Sequence, residues 1–170
     1  MKLAEPLFVI VNPIMRFVLR SPLHGLCSGS LMLITFSGRK SGKRFTTPVR
    51  YVQTDQTIRC FTSPESQWWR NLRGGADVVL RLRGRDYHYG AAVIENNPEE
   101  VKKWLRYYLG RFPQDASYHD IKLNTDKTLV AEDLEQASHQ AIVVEAQSYR
   151  GKLNDDSKEV HLGLEPTQST

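Results

Sequence analysis

The sequence predicts an α+β domain in which a small antiparallel β-barrel has helices packed outside it. Three observations lead to this prediction. Short apolar or alternating segments follow one another with links of only a few residues, helical patterns come mostly after them, and one more apolar segment follows the helices. Antiparallel strands in consecutive hairpins close most economically as a barrel, and the late strand must return to the same sheet.

The first strands are predicted to form a consecutive series. Residues 30–37 are a short apolar run that ends at glycine, which is typical of a buried strand. The turn 38–42 leads into a second strand over residues 45–54, which is rich in β-branched and aromatic residues. Residues 55–56 form a tight link to a third strand over residues 57–63, so these two strands make a hairpin.

A short helix and a second hairpin are predicted next. Residues 67–73 follow Ser66, which can cap a helix, and they stop at two glycines. Residues 77–83 and 86–94 form two strands joined by the link 84–85. In the first of these strands, apolar residues occupy one face and arginines alternate on the other, which is typical of a strand with one face in a core.

The last part of the predicted domain holds two helices and the closing strand. Asn97 as cap, Pro98 at the first helical position and two acidic residues after it predict a helix that runs to about Arg111. Its apolar residues follow the spacing of a single packed stripe. Residues 131–140 predict a second helix, and residues 141–145 predict the strand that returns to the sheet.

The length suits one domain, which we assign to residues 1–150, with a polar tail over residues 151–170 that we expect to be mobile. Residues 6–20 are apolar, but Asn12 and Pro13 interrupt them well before the ~20 residues that a membrane-spanning helix needs. We interpret this segment as a docking helix on the barrel. A helix lying on a membrane surface is the alternative. The predicted location is cytoplasmic, either free or peripheral to the inner face of the membrane.

Composition excludes several classes of protein. Hydrophobic residues make up 40% and charged residues 25% of the chain, so neither a disordered nor a fibrous protein is indicated. Cys27 and Cys60 stand far apart, and we expect reduced thiols in the core rather than a zinc or redox motif. No two histidines have the i, i+4 spacing of ligands on one helical face, so no metal site is predicted.

Positive charge is concentrated in one part of the chain. Residues 38–85 contain eleven basic and three acidic residues, although the whole chain carries a formal net charge of only +4. Such a segment attracts polyanions, which include nucleic acid, an acidic lipid surface and a phosphorylated cofactor.

The turn 38–42 is the first candidate site. Its two glycines let backbone N–H groups converge on an anion, and Arg39, Lys40 and Lys43 add donors for phosphate or carboxylate oxygens. The turn is not a P-loop, because its glycines are one residue too close and Arg44 replaces the magnesium-binding hydroxyl. An ordinary charged hairpin turn is the alternative.

The adjacent tryptophans Trp68 and Trp69 are the second candidate. Neighbouring residues on a helix point about 100° apart, so both rings cannot face the same core. We expect one indole to line a groove, where it can stack on the planar ring of a cofactor or a nucleic-acid base. The alternative is that both rings only close the end of the barrel.

Together these elements resemble the deazaflavin-dependent nitroreductase family, part of the flavin and deazaflavin oxidoreductase superfamily of split β-barrels. The resemblance covers roughly residues 7–146. It rests on an apolar strand followed by the Gly-Arg-Lys-Ser-Gly turn 38–42, on Pro48 and Tyr51, and on the Trp-Trp-Arg-Asn-Leu segment 68–72. It implies an FMN-binding-like split β-barrel. It also implies hydride transfer from a reduced deazaflavin, coenzyme F420, to a quinone, nitroaromatic or activated alkene, with FMN or FAD as the alternative cofactor.

The resemblance also implies site residues. The basic turn would bind the phosphate and the polyglutamyl-type tail of the cofactor, and strand residues would lie along its ring. Tyr118 would approach the substrate as a catalytic residue, with an ordinary surface tyrosine as the alternative. The implied cofactor-binding residues are Arg39, Lys40, Ser41, Gly42, Thr47, Pro48, Ser63, Trp68 and Asn71.

Partners follow partly from the resemblance, which implies a homodimer because such barrels usually build the cofactor cleft between subunits. Proteins of this fold that bind haem or fatty acids are also known. The residues alone leave another function open, a non-enzymatic barrel that binds single-stranded nucleic acid through the basic segment and its interleaved aromatic residues. An oxidoreductase would group its basic residues at one cleft mouth, whereas a strand-binding surface would spread them along a groove. We expect a small-molecule acceptor and no nucleic acid.

Overall fold

Six antiparallel strands form a closed barrel in the part of the chain that the computed structural model describes, residues 29–149. The predicted docking helix, Cys27 and the polar tail lie outside these residues. The predicted antiparallel barrel is confirmed. Its strands are β1 (Leu31–Ser37), β2 (Arg44–Thr54), β3 (Thr57–Thr62), β4 (Ala76–Leu82), β5 (Arg85–Ile94) and β6 (Ile142–Ser148).

The last strand closes the barrel. The order around the barrel is β1-β2-β3-β6-β5-β4, and β4 pairs with β1. β6 lies between β3 and β5 and is antiparallel to both, with Thr62 opposite Ile142 on one side and Ile94 opposite Val143 on the other. The late strand therefore returns to the sheet as predicted, although it extends to Ser148 instead of ending at residue 145.

Four helical segments connect the strands. They are the α-helices α1 (Pro98–Arg111) and α2 (Ala131–Ser138) and the 3₁₀ helices η1 (Gln67–Leu72) and η2 (Pro113–His119). The predicted cap of α1 is present, because Asn97 Oδ1 accepts a hydrogen bond of 3.3 Å from the Glu100 N–H. The helix predicted over residues 67–73 is a 3₁₀ helix one residue shorter, and Ser66 makes no side-chain cap bond. η2 was not predicted.

The barrel interior is filled by alternate side chains of its strands and by Trp69 and Leu72 of η1, which close one end. Cys60 lies in this core, and burial raises the pKa of its thiol to about 12. Because the thiolate is the reactive form, Cys60 is chemically inert at neutral pH.

A second core lies outside the barrel. Side chains of α1, η2 and α2 pack against Val52, Phe61 and Val143, which point outward from β2, β3 and β6. This outer layer explains why β3 is buried along nearly its whole length. Arg59 also points outward, and its charge is accommodated beneath α1 by an ion pair of 2.7 Å with Glu145.

The barrel splits between β2 and β3. β2 pairs with β1 from Ser37 opposite Arg44 to Leu31 opposite Arg50, but it pairs with β3 only over residues 51–54. Residues 44–50 of β2 therefore diverge from β3, and we call the opening between them the split. Pro48 lies in this half of β2, where a residue without a backbone N–H is tolerated because the strand edge has no ladder to complete.

The hairpin between β4 and β5 turns at Arg83 and Gly84, one residue earlier than predicted, because Leu82 pairs with Arg85. Arg83 has φ +48° and Gly84 has φ +80°. Two successive positive φ values are those of a type I′ turn, in which asparagine followed by glycine is strongly preferred. Arginine at the first position therefore costs conformational energy.

We expect Arg83→Asn to stabilise the fold by roughly 0.5 kcal/mol and Gly84→Ala to destabilise it by about 1 kcal/mol, because only the first change suits left-handed backbone. Urea denaturation followed by circular dichroism measures both changes. Arg85→Asn, beside the turn at the first position of β5, is the control for loss of an arginine. Stabilisation by Gly84→Ala would contradict the assigned turn.

Candidate functional site

The basic turn is a compact loop whose side chains project into solvent. The Gly42 N–H donates to the Gly38 carbonyl at 2.8 Å, and the Gly38 N–H donates to the Lys43 carbonyl at 2.8 Å. Gly42 has φ +65°, a conformation that glycine adopts without steric cost. The side chains of Arg39 and Lys40 are exposed and available to a ligand. The predicted convergence of backbone N–H groups on an anion is not borne out, because four N–H groups of the turn, those of Gly38, Arg39, Gly42 and Lys43, donate within the protein.

Gly38 lies in close contact with an aromatic ring. A Cβ atom at this position would lie 2.8 Å from Phe45 Cε2 and 2.8 Å from Ser41 Oγ. The Phe45 ring is 46% exposed and stacks on Phe36 with 6.0 Å between ring centroids. The turn therefore rests directly on an aromatic surface at the beginning of β2.

Asn71 joins the two sequence motifs. Its Oδ1 accepts a hydrogen bond of 3.0 Å from the Arg39 N–H, and its Nδ2 donates a hydrogen bond of 3.0 Å to the Trp68 carbonyl. One side-chain amide thus fixes the basic turn against η1. Sequence reasoning named Asn71 as a site residue but missed this link, because the bond spans 32 positions of the chain.

The two tryptophans differ in burial, although both contact the same barrel core. Trp69 is 4% exposed and lies in the barrel core, whereas Trp68 is only half-buried. The Trp68 ring lies 5.9 Å from the Phe36 ring at an angle of 36°. Trp68 and Phe45 therefore both pack on the buried Phe36 ring, and their exposed parts form the aromatic surface that a ligand can contact.

Thr47 and Pro48 point to opposite faces of β2. Thr47 stands opposite Ile34, whose side chain is in the barrel core, and Pro48 stands opposite Leu33 on the outer face. Both are half-buried. A flat ring on one face of β2 can contact only one of the two side chains, although a ring at the strand edge can contact both residues.

Ion pairs neutralise four of the eleven basic residues of the basic segment. Arg50, Arg59, Arg73 and Arg81 pair with Asp115, Glu145, Glu95 and Asp86 respectively. Within residues 29–149 the other seven form no ion pair. Four of these seven lie in and beside the turn and form a cluster of unneutralised cations there; they are Arg39, Lys40, Lys43 and Arg44. A fifth, Arg70, lies on η1.

Arg83 and Arg85 also lack ion pairs in the described part of the chain, but they lie at the other end of the barrel. β1 and β4 are antiparallel, so the β4–β5 hairpin lies near Leu31 whereas the basic turn follows Ser37. Six residues of strand separate these ends by roughly 20 Å. Cations without ion pairs therefore lie at both ends of the barrel, and Arg44 lines a groove on its outer surface together with the paired Arg81.

Tyr118 and Ser63, which lie far apart in the sequence, meet beside the split. The Tyr118 hydroxyl lies 3.5 Å from Ser63 Oγ, the upper limit for a hydrogen bond, and the Tyr118 side chain is 46% exposed. Ser63 directly follows β3, the strand from which β2 diverges. Tyr118 can therefore reach a ligand held in the split.

An acidic centre lies behind Tyr118. Asp115 Oδ1 accepts a hydrogen bond of 3.1 Å from Arg50 Nη1, and Asp115 Oδ2 accepts a short hydrogen bond from the Tyr108 hydroxyl. Burial and the Asp115 carboxylate raise the pKa of Tyr108 well above its usual value. Burial lowers the pKa of His119 to about 4, so its imidazole is neutral at physiological pH. Sequence reasoning missed this centre because no local pattern marks it.

Two grooves lie on the outer surface of the barrel. One has a volume of about 510 Å³ between β1, β2, β4 and β5, and the other has a volume of about 480 Å³ over β4, β5 and β6. Neither is lined by any of the predicted site residues. In residues 29–149 no three His, Cys, Asp or Glu side chains converge as a possible metal site. Among the helices of that part of the chain, none is long and apolar enough to cross a membrane.

Comparison with known proteins gives a family. Residues 21–134 match the sequence profile of the F420H(2)-dependent quinone reductase family, which is more than half of the chain. A Mycobacterium tuberculosis protein named as a candidate F420H(2)-dependent quinone reductase is 29% identical over 80 residues, covering 44% of this chain. That alignment spans 66% of the relative, just under two thirds of its length.

Solved structures are more distant. A domain-swapped dimer is 18% identical with a TM-score of 0.48, over 82% of this chain and 99% of that one. An F420-H2 dependent reductase is 20% identical with a TM-score of 0.47, over 68% of this chain and 93% of the reductase. An FAD and haem binding protein from Mycobacterium smegmatis is 14% identical with a TM-score of 0.42, over 75% of this chain and 66% of that protein. The fold assignment rests on the topology of the chain itself.

The geometry of η1 predicts different effects for the two tryptophans. Trp69→Ala should lower the free energy of unfolding by about 3–5 kcal/mol, because it empties part of the barrel core. Trp68→Ala should cost much less, since its ring is only half-buried. Equilibrium denaturation of both variants is the measurement, and a larger loss for Trp68→Ala would show that η1 is rotated from the position described.

Proposed function

The chain belongs to the F420H(2)-dependent quinone reductase family, and from this premise we propose that it reduces small quinones with reduced coenzyme F420. The observation that carries the proposal is the cluster of unneutralised cations at the basic turn, next to an aromatic surface and the split. When bound, the cofactor supplies a hydride, and the protein supplies binding, orientation and electrostatics. Nitroaromatics and activated alkenes are further acceptors for the same reaction.

The basic turn fits the anionic end of the cofactor. The side chains of Arg39, Lys40 and Lys43 are exposed and offer charge-assisted donors to phosphate and carboxylate oxygens. The link from Asn71 to the Arg39 N–H fixes the turn before any ligand arrives. Preorganised donors lose less conformational entropy on binding, so this link should contribute to affinity.

The aromatic surface fits the planar end of the cofactor. The exposed part of Trp68 and the open half of β2, with Thr47 and Pro48, offer flat apolar contacts beside Ser63. FMN and FAD also carry a phosphate and a planar ring, so the same residues would accept them as alternatives. A tail with several carboxylates would use more of the cations of the turn, which is why we favour F420.

The acceptor would lie between the cofactor ring and Tyr118. A tyrosine hydroxyl donates hydrogen bonds at neutral pH, so Tyr118 can hold the oxygen of a quinone and supply a proton to it. Ser63, 3.5 Å from the Tyr118 hydroxyl, can orient that hydroxyl. Reduction of a quinone by a hydride requires one proton in addition, and in this arrangement Tyr118, beside the split, would donate it.

We propose a homodimer located in the cytoplasm, with a peripheral membrane contact through residues 6–20 as the alternative. Binding of single-stranded nucleic acid is the weaker hypothesis. Residues 21–134 match a reductase family, and this match favours a small-molecule acceptor over nucleic acid.

Replacing both Arg39 and Lys40 by Ala should weaken F420 binding by about 100-fold or more, since two charge-assisted hydrogen bonds together contribute about 3–6 kcal/mol and about 1.4 kcal/mol corresponds to a tenfold change. The fold should remain intact because both side chains are exposed. Fluorescence titration of F420 measures the affinity. The matched control is replacement of both Arg83 and Arg85 by Ala, which removes the same charge from the other end of the barrel. Equal losses in the two double variants would mean that net charge, and not the turn, holds the cofactor.

A further inference from the structure

η2, which contains Tyr118, is a short helix with few stabilising interactions of its own. It is a 3₁₀ helix of seven residues, its N-cap Phe112 makes no side-chain cap bond, and it ends at Asp120 in the left-handed conformation with φ +57°. Short 3₁₀ segments have poor hydrogen-bond geometry and gain most of their stability from tertiary contacts. The position of Tyr118 near the end of η2 therefore depends on what holds the helix.

Asp115, in the first turn of η2, joins this helix to other elements through its carboxylate. The carboxylate is shared between Arg50 on β2 and Tyr108 on α1, so one side chain ties η2 to two other elements. The side chains of Arg50 and Asp115 are only 27% and 23% exposed, and the Arg50 guanidinium lies 4.9 Å from the centre of the Phe112 ring. A half-buried, shared carboxylate is costly to leave unpaired.

Aromatic contacts continue from this centre to Tyr118. His119 packs edge-on against Tyr108 at 6.3 Å and against Tyr118 at 5.1 Å between ring centroids. The pKa of His119 is lowered to about 4 by burial, so these are contacts of an uncharged ring at neutral pH. Displacement of Tyr108 or of η2 would therefore move His119, against which the Tyr118 ring packs.

Arg50 lies at the base of the split. It is the last residue of β2 before the strand joins β3, because pairing with β3 begins at Tyr51 opposite Cys60. The Arg50–Asp115 pair consequently joins η2 to the strand that forms one wall of the split. It fixes the distance between that wall and the Tyr118 hydroxyl.

We propose that Arg50 and Asp115 are positioning residues for the reductase reaction, because their ion pair sets where Tyr118 stands beside the split. The inference rests on the proposed function, in which Tyr118 contacts the acceptor. Neither residue touches the acceptor itself in this account. They act through η2, which makes their effect separable from that of the cofactor-binding residues.

The first test measures catalysis and binding in Arg50→Gln and Asp115→Asn. With reduced F420 and menadione as the quinone, kcat should fall about tenfold, as expected when a reacting group is misplaced. The dissociation constant of F420 should change less than twofold. Glu135→Gln is the matched control, because it removes an acid that pairs with Lys102 on α1 but does not contact η2. If kcat were unchanged in both test variants while the wild type is active, this inference would be overturned, but the proposed function would stand.

A double-mutant cycle separates positioning from general damage. Tyr118→Phe should lower kcat, and Asp115→Asn should have less than a twofold further effect in that background, because the residue it positions no longer has its hydroxyl. If the fold loss of kcat in the double variant equalled the product of the losses in Tyr118→Phe and Asp115→Asn, the inference would be overturned. Full activity of Tyr118→Phe would overturn it as well. A wild type that neither binds F420 nor reduces menadione would instead refute the proposed function, and with it the reaction that this pair would serve.

Hydrogen exchange supplies a readout that does not depend on turnover. Amides of residues 114–121 should exchange faster in Arg50→Gln and Asp115→Asn than in Glu135→Gln, while the barrel strands keep their protection. Arg50→Lys keeps the positive charge and should retain most of this protection and most of kcat, so it replaces a test variant that fails to fold. Equal protection of residues 114–121 in Arg50→Gln and the wild type would contradict the proposal.

Discussion

Insertion of β6 between β3 and β5 is the constraint on which the rest of the structure depends. Without it both strands would expose an unpaired edge, and the sheet could not close. The chain must also travel outside the barrel from the end of β5 to the start of β6. Helices α1, η2 and α2 of this connection therefore cover the outer faces of β2, β3 and β6, and they carry Tyr118 to the side of the barrel where it meets Ser63.

The same closure makes the split. One edge of β3 is occupied by β6 over its whole length, and the other edge is used by β2 over residues 51–54 only. Residues 44–50 of β2 are left with β1 as their only strand partner within residues 29–149. The basic turn precedes residues 44–50, and the Arg50–Asp115 pair lies at their other end. The anion-binding and proton-donating parts of the proposed site are thus both anchored to one strand.

Local patterns predicted the fold well. The caps of α1, the two glycines after η1 and the alternation in β4 each depend on neighbouring residues, and the structure confirms them. The predicted turn between β4 and β5 was one residue too late. The pairing of β4 with β5 places Leu82 opposite Arg85, and in this register Arg83 must adopt a positive φ. η1 is 3₁₀ because it must fit Trp69 and Leu72 into the barrel end.

Contacts between distant residues could not be predicted from the sequence. The Asn71 bond to the turn and the Arg50–Asp115 pair join positions that have no common local pattern. The basic segment looked like one surface, but four of its arginines pair with acids brought in by other elements. The candidate site was therefore identified by its motifs, while the interactions that hold it in place came only from the fold.

We propose that the basic turn and the split together hold a deazaflavin. Side-by-side titration of the wild-type chain with F420, FMN, FAD, haem and a single-stranded oligonucleotide, at near-physiological salt, is the most direct measurement of this. We expect the tightest binding for F420 and weak binding for the oligonucleotide, whose affinity should fall steeply with added salt. Submicromolar affinity for the oligonucleotide, with no measurable binding of F420, would contradict it.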